Sequence, residues 1–202
     1  MKSATNLFAS TLGAFMALGG VEHGIGEILQ GSAVPAGVMI QSWPDAEFFR
    51  SVSGEPAMTV IPNLLATGVL AVLVSLVLLV WCVRFIGRRD GGPVMILLSA
   101  AMLLVGGGIF PPILCALLGG AVALGRGRRA RPATAARRFL AGLWPWSFAA
   151  CMLSWLAMLP GVSILSTFFG VENDALTLSI GCVALATLLS TLLTGFARDS
   201  LR

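Results

Sequence analysis

The residues best suited to chemistry lie close together in one apolar stretch near the start of the chain. Glu22, His23 and Glu27 fall within residues 19–30, and His23 is the only histidine among the 202 residues. On a helix, His23 and Glu27 share a face because they are four residues apart, Gln30 continues that face, and Glu22 points about 100° away. Imidazole and carboxylate groups exchange protons and bind cations. The spacing therefore predicts an outward-facing site within the membrane that binds or moves a cation, a proton or a small solute.

The metal chemistry open to this cluster is limited by its composition. If a metal binds, the candidate ligands are Glu22, His23 and Glu27. A closed zinc site made only of protein ligands is not expected, because one histidine cannot supply the usual nitrogen and sulfur ligands. A proton or a hard cation, held by the carboxylates and by backbone carbonyls, is easier to accommodate.

Other chemistry has little support in the sequence. There is no nucleophile elbow, no phosphate-binding Gly-Lys-Ser/Thr loop and no pair of carboxylates typical of a hydrolase. We therefore expect no catalytic residues and no cofactor, and an enzyme is the less favoured interpretation.

A purely structural interpretation of the same residues stays open. Gly20 and Gly24 form a small-xxx-small face that lets a neighbouring helix approach closely. The His/Glu cluster would then only lock helix packing. In that case the protein is a non-transporting accessory or scaffold membrane subunit, either as a homo-oligomer or beside a partner subunit.

The elements that carry these residues are predicted to be membrane helices. Apolar residues make up 57% of the chain and charged residues 11%, whereas a soluble domain carries about 25% charge. The sequence predicts an all-α, polytopic transmembrane helical bundle that forms a single integral membrane domain over residues 1–202. About six membrane segments are expected, at residues 6–27, 58–83, 94–107, 112–125, 139–161 and 175–197.

The apolar stretch 93–125 is too long for one ordinary crossing, and it contains a break. Residues 106–112 read Gly-Gly-Gly-Ile-Phe-Pro-Pro, which cannot continue a regular helix. The two arms are short for full crossings. They form either a tilted short hairpin or a re-entrant loop, and a single helix kinked at the prolines is the less favoured alternative.

Charge predicts the orientation, because loop lysines and arginines accumulate on the cytoplasmic side. With both termini in the cytoplasm, twelve of the thirteen basic residues are inside and Arg50 is outside. A multi-pass protein of the plasma (inner) membrane follows. The arginines of the cytoplasmic loop 126–138 are expected to contact anionic lipid headgroups, not nucleic acid. These arginines are Arg126, Arg128, Arg129, Arg131, Arg137 and Arg138.

Depth in the membrane suggests which residues accompany the His/Glu cluster. Asn63 and Thr67, at the outer start of the second helix, should lie at a similar depth, and so should the break. The further candidates for binding or proton relay are therefore Gln30, Asn63, Thr67, Gly107, Gly108 and Pro111. Two parts of this set have simpler alternatives, since Asn63 suits a helix start and residues 106–112 suit a close-packed hairpin turn.

The remaining predictions concern the outer loop, the last helix and the N-terminus. The outer loop 31–57 is too long for a tight turn, and its residues 44–52 could form a short amphipathic helix through Phe48, Phe49 and Val52. Asn173 or Asp174 should cap the last helix. An alternative for the N-terminus is a secretory signal cleaved after Gly19, although the apolar stretch continues beyond that position.

Overall fold

Four long helices dominate the chain. The computed structural model describes residues 3–126, 132, 134–171 and 173–201. Within them, helices long and apolar enough to cross a membrane span Ala4–Leu29, Leu64–Phe85, Ala135–Phe169 and Asp174–Asp199. Two shorter apolar helices span Gly91–Leu104 and Phe110–Arg126. The protein is thus mainly helical, with four candidate membrane-spanning helices, as expected of a membrane protein.

The helices are labelled in chain order. They are α1 (Ala4–Leu29), α2 (Leu64–Val80), α3 (Gly91–Leu104), α4 (Phe110–Arg126), α5 (Ala135–Leu156), α6 (Val162–Phe169) and α7 (Asp174–Asp199). A π-helical turn, Trp81–Phe85, extends α2, and another, Ala157–Gly161, joins α5 to α6. Pro160 lies in the second turn and removes a backbone donor there.

Polar side chains begin α2 and α7. Asn63 Oδ1 accepts a hydrogen bond from Ala66 N (3.0 Å), and Asn173 Oδ1 accepts one from Leu176 N (3.1 Å). Each satisfies an amide that has no partner within its helix. The predicted cap of the last helix is confirmed at Asn173.

The chain forms two compact units. One contains residues 9–123, with most of α1, the outer loop, α2, α3 and most of α4. The other contains the chain up to Phe8 and from Leu124 onward. In this second unit Asp199 accepts hydrogen bonds from Ala4 N (2.7 Å) and Thr5 N (3.0 Å), and so caps α1. The prediction of a single domain stays a prediction.

The long apolar stretch folds back on itself at the predicted break. Helix α3 ends at Leu104 and α4 begins at Phe110. Gly92, near the start of α3, packs against the backbone of Gly119, near the end of α4. The two helices are therefore antiparallel, and a single kinked helix is wrong.

Close backbone approach also joins α1 to α2. A methyl group at Gly24 would lie 2.7 Å from Gly68 O, and one at Gly20 would collide with Ser75 and Met102. The predicted small-residue face of α1 is confirmed at both glycines. This packing leaves His23 and Glu27 on the side of α1 that faces the interior of the unit, since both are buried.

The outer loop contains a structure that the sequence did not predict. Strands β1 (Met39–Gln41) and β2 (Pro56–Met58) pair antiparallel, with Ile40 opposite Ala57. Between them, Glu47–Val52 forms a 3-10 helix in place of the predicted amphipathic helix over 44–52. Its Phe49 stacks on Trp43, with ring centroids 5.1 Å apart. The hairpin therefore has its own aromatic packing.

Candidate cation-binding site

His23 lies between two carboxylates and is 3% exposed. Its Nδ1 is 2.9 Å from Gly19 O and 3.1 Å from Glu22 Oε2. Its Nε2 is 3.3 Å from Glu55 Oε2. Because both neighbours of Nδ1 are acceptors, Nδ1 carries a hydrogen and donates it. Nε2 is then the ring nitrogen whose lone pair, beside Glu55, is available to a proton or a cation.

The carboxylate of Glu55 reaches His23 from a tightly held turn of the outer loop. Ser53 and Glu55 have φ values of 57° and 55°, a left-handed conformation that is unfavourable for residues other than glycine. Hydrogen bonds from Ser42 N to Glu55 O (3.0 Å) and from Trp43 N to Gly54 O (2.9 Å) hold the turn. The hairpin thus stabilises a strained backbone that directs a carboxylate at the imidazole.

The three side chains have the spacing of a metal site. One ligand atom each from Glu22, His23 and Glu55 lies within 4.8 Å of the others. Two ligands bonded at about 2.0–2.1 Å and in tetrahedral arrangement are roughly 3.3–3.4 Å apart. The separation of His23 Nε2 and Glu55 Oε2 is 3.3 Å. Glu22 on the opposite nitrogen resembles the carboxylate that orients a metal-binding histidine.

Glu27 occupies a separate environment from the three side chains that meet at His23. The predicted ligand set stays a prediction. Its side chain is fully buried, and its Oε1 accepts a hydrogen bond from Ser42 Oγ (3.2 Å). Its Oε2 has no hydrogen-bond partner among the described residues. Glu55, from the outer loop, takes the place beside His23 that the helical spacing gave to Glu27.

The glycine-rich break contacts both groups. Gly106 and Gly108 have φ values of 93° and 82°. A methyl group at Gly106 would lie 2.5 Å from Glu27 Oε1, and one at Gly108 would lie 2.8 Å from His23 Nε2. Only glycine fits at either position. The structure therefore brings the break against the cluster, as the argument from depth predicts.

Two other predicted residues lie beside the cluster. A methyl group at Gly106 would also meet the Thr67 side chain, at 2.5 Å from Cγ2. The Thr67 hydroxyl is paired with Thr59 Oγ1 (2.9 Å). Gln30 Nε2 donates to the carbonyls of Gln41 (3.1 Å) and Ser42 (2.9 Å). Gln30 thus clamps the hairpin onto the end of α1.

The remaining predicted site residues have structural roles. Asn63 caps α2, as its simpler alternative proposed. Gly107 donates its backbone N–H to Met102 O (2.9 Å). Pro111 lies in the first turn of α4, where a missing donor costs little, and faces Gly19. These contacts do not bring the three residues onto His23 or Glu27.

Of the six arginines predicted to contact lipid, three lie among the described residues. Arg126 ends α4, and Arg137 and Arg138 lie in the first turn of α5. Arg128, Arg129 and Arg131 lie outside the described residues. Their contact with anionic headgroups stays a prediction.

Sequence reasoning missed Glu55 and Ser42. Both lie in the outer loop: Glu55 is 32 residues along the chain from His23, and Ser42 is 15 residues from Glu27. The length of the loop excludes a tight turn, but no local sequence pattern indicates that its two strands pair. Comparisons with protein-family models, with curated proteins and with solved structures found no match.

Proposed function

We propose that this protein is a multi-pass plasma-membrane protein that binds a divalent transition-metal cation from the outer side. The site consists of Glu22, His23 and Glu55. The observation that carries the proposal is the buried imidazole, whose Nε2 faces a carboxylate at 3.3 Å while a second carboxylate holds Nδ1. Glu22 and Glu55 keep part of their side chains exposed, which gives a cation a way to reach Nε2.

The ligand atoms favour a transition metal over calcium or magnesium. An imidazole nitrogen suits zinc, cobalt, nickel or copper, whereas calcium and magnesium prefer sites made only of oxygen. Two direct ligands, His23 and Glu55, leave coordination positions for water or for a transported solute. A site of that kind exchanges its metal more readily than a closed structural site.

Binding from the outer side requires the topology of six membrane segments that the sequence predicts. In it, α3 and α4 form a short pair of segments, both termini are cytoplasmic, and the arginines of the loop 126–138 face anionic headgroups. Reporter fusions after Arg89, within 126–138 and after Leu201 should read cytoplasmic. A fusion after Gly54 should read external. An external signal from the loop 126–138 would contradict the proposed hairpin of α3 and α4.

Cation binding is tested by thermal stability in detergent with added Zn²⁺, Co²⁺ or Mn²⁺, and with Mg²⁺ or Ca²⁺ for comparison. A cation at 100 times its dissociation constant stabilises the state that binds it by about 2.7 kcal/mol. The parent protein should respond to the transition metals. Glu55→Gln should weaken the response at least tenfold, because it removes a charged ligand.

Glu47→Gln is the matched control for that experiment. Glu47 lies on the same loop, is exposed, and faces Arg50 at 3.9 Å. This variant should respond like the parent. Equal responses from Glu55→Gln and Glu47→Gln would contradict the proposed site.

A second function, as a non-transporting accessory or scaffold subunit, is favoured by one observation. Gln30 donates to two hairpin carbonyls and Ser42 donates to Glu27, so polar contacts fasten the loop to α1. If no cation shifts the parent protein while His23→Ala melts much earlier, the cluster is a helix lock and this second function holds.

A further inference from the structure

Glu27 is enclosed on several sides. On its own helix, the ionisable groups close enough to interact with its charge are His23 and Glu22. The hairpin presents the hydroxyl of Ser42, which is itself fully buried. The break between α3 and α4 presents the methylene group of Gly106, which lies against both carboxylate oxygens.

The hydrogen bonding around Glu27 is incomplete for an ionised carboxylate. Ser42 Oγ donates to Oε1, whereas Oε2 is buried without a hydrogen-bond partner among the described residues. The contacts described for its oxygens include no lysine or arginine. A single hydroxyl donor does not offset the loss of water around a full negative charge, and such a group becomes neutral instead.

The neutralising species has to be small. Gly106 packs so closely that a methyl group there would lie 2.5 Å from Oε1. A magnesium or calcium ion needs six or more oxygen ligands around it, and the methylene group of Gly106 occupies part of that space. A proton needs only one oxygen. It leaves one O–H without an acceptor, which costs less than an uncompensated charge.

We propose that Glu27 is a proton-binding site, separate from the metal site, whose carboxyl group is protonated in this conformation. Oε1 is the carbonyl oxygen that accepts from Ser42, and Oε2 carries the hydrogen. Release of this proton requires Ser42 or Gly106 to move away from the Glu27 carboxyl group. Gly106 is two residues from Gly108, which packs on His23, so such an opening also reaches the metal site. The inference does not depend on metal binding.

Infrared spectroscopy tests this directly, because a protonated carboxylic acid has a C=O stretching band distinct from those of carboxylates. At neutral pH the parent protein and Glu47→Gln should both show the band, with a small downshift in D₂O. Glu27→Gln should lose it. Absence of the band in the parent, or its persistence in Glu27→Gln, would overturn the proposal.

Two further variants make the test independent of how Glu27→Gln folds. Ser42→Ala removes the donor to Oε1, so the band should move to higher frequency, and an unmoved band would assign it to another group and overturn the proposal. Glu55→Gln should retain the band while its metal response weakens at least tenfold. If the parent shows the band but no metal response, only the proposed metal site is contradicted. If the parent shows a metal response but no band, only the proton-binding site at Glu27 is contradicted.

Discussion

The two compact units place polar groups among apolar helices in different ways. In the unit that contains α5 and α7, four hydroxyls pair across these two helices. Ser147 Oγ lies 2.7 Å from Thr194 Oγ1, and Ser154 Oγ lies 2.8 Å from Thr187 Oγ1. In each pair one hydroxyl donates to the other, and the accepting hydroxyl donates its own hydrogen to a carbonyl of its own helix. Every member of these pairs is neutral and has a partner.

The unit of residues 9–123 instead buries groups that can ionise. His23 is held between two carboxylates, Glu55 has a strained backbone, and one oxygen of Glu27 has no described partner. Neutral, satisfied pairs need nothing from outside the protein, so they serve packing. Ionisable groups with incomplete partners are suited to take up a cation or a proton, and the unit of residues 9–123 is the one in which we propose that binding occurs.

The largest expected effect comes from the glycine that lies against Glu27. Gly106→Val adds a side chain where φ is 93° and where a methyl group would already collide. We expect a loss of about 4 kcal/mol of stability from strain and overpacking together. Melting in detergent measures it. Gly142→Ala, at a helical position with open space around the glycine, is the control and should be neutral or slightly stabilising.

Removing the imidazole should have the next largest effect. His23→Ala leaves Glu22 and Glu55 without their common partner. We expect a cost of about 2–3 kcal/mol, below that of a fully buried pair because the Glu22 side chain is 32% exposed. The melting temperature should fall and the response to Zn²⁺ should disappear. A variant that melts like the parent would contradict the role of His23 in both proposed functions.

A polar residue near the cluster but with a structural role should behave differently. Asn63→Ala removes the cap of α2 and should cost about 1 kcal/mol. The Zn²⁺ response should be unchanged, because the contact described for the Asn63 side chain is with its own helix and not with Glu22, His23 or Glu55. A reduced metal affinity in this variant would restore Asn63 to the candidate ligands.

The smallest effect is expected among the hydroxyl pairs. Thr187→Val keeps the shape of the side chain and removes its bond to Ser154, at a cost of about 0.6 kcal/mol. The Ser154 hydroxyl keeps its bond to Cys151 O (3.0 Å). Melting in detergent should barely change, and metal binding should not. A large loss of stability would mean that the two units do not differ as described.

Local patterns in the sequence determined much of the fold. Long apolar runs identified the four long helices, because a run of that length is hydrophobic on every face. The glycines and prolines of 106–112 located the break, since neither residue type continues a helix. The glycine face of α1 and the cap at Asn173 are equally local. Each depends on residues within a few positions along the chain.

The tertiary structure decided which groups meet. Helical spacing paired His23 with Glu27, but the outer hairpin inserts Ser42 next to Glu27 and Glu55 next to His23. That pairing depends on a strand register and on a left-handed turn stabilised by contacts distant in sequence. The sequence pattern of a helix does not encode such contacts, because its periodicity specifies only which residues share a face of that helix. The sequence alone therefore located the charged segment of α1, and the fold placed His23 and Glu27 in two separate environments.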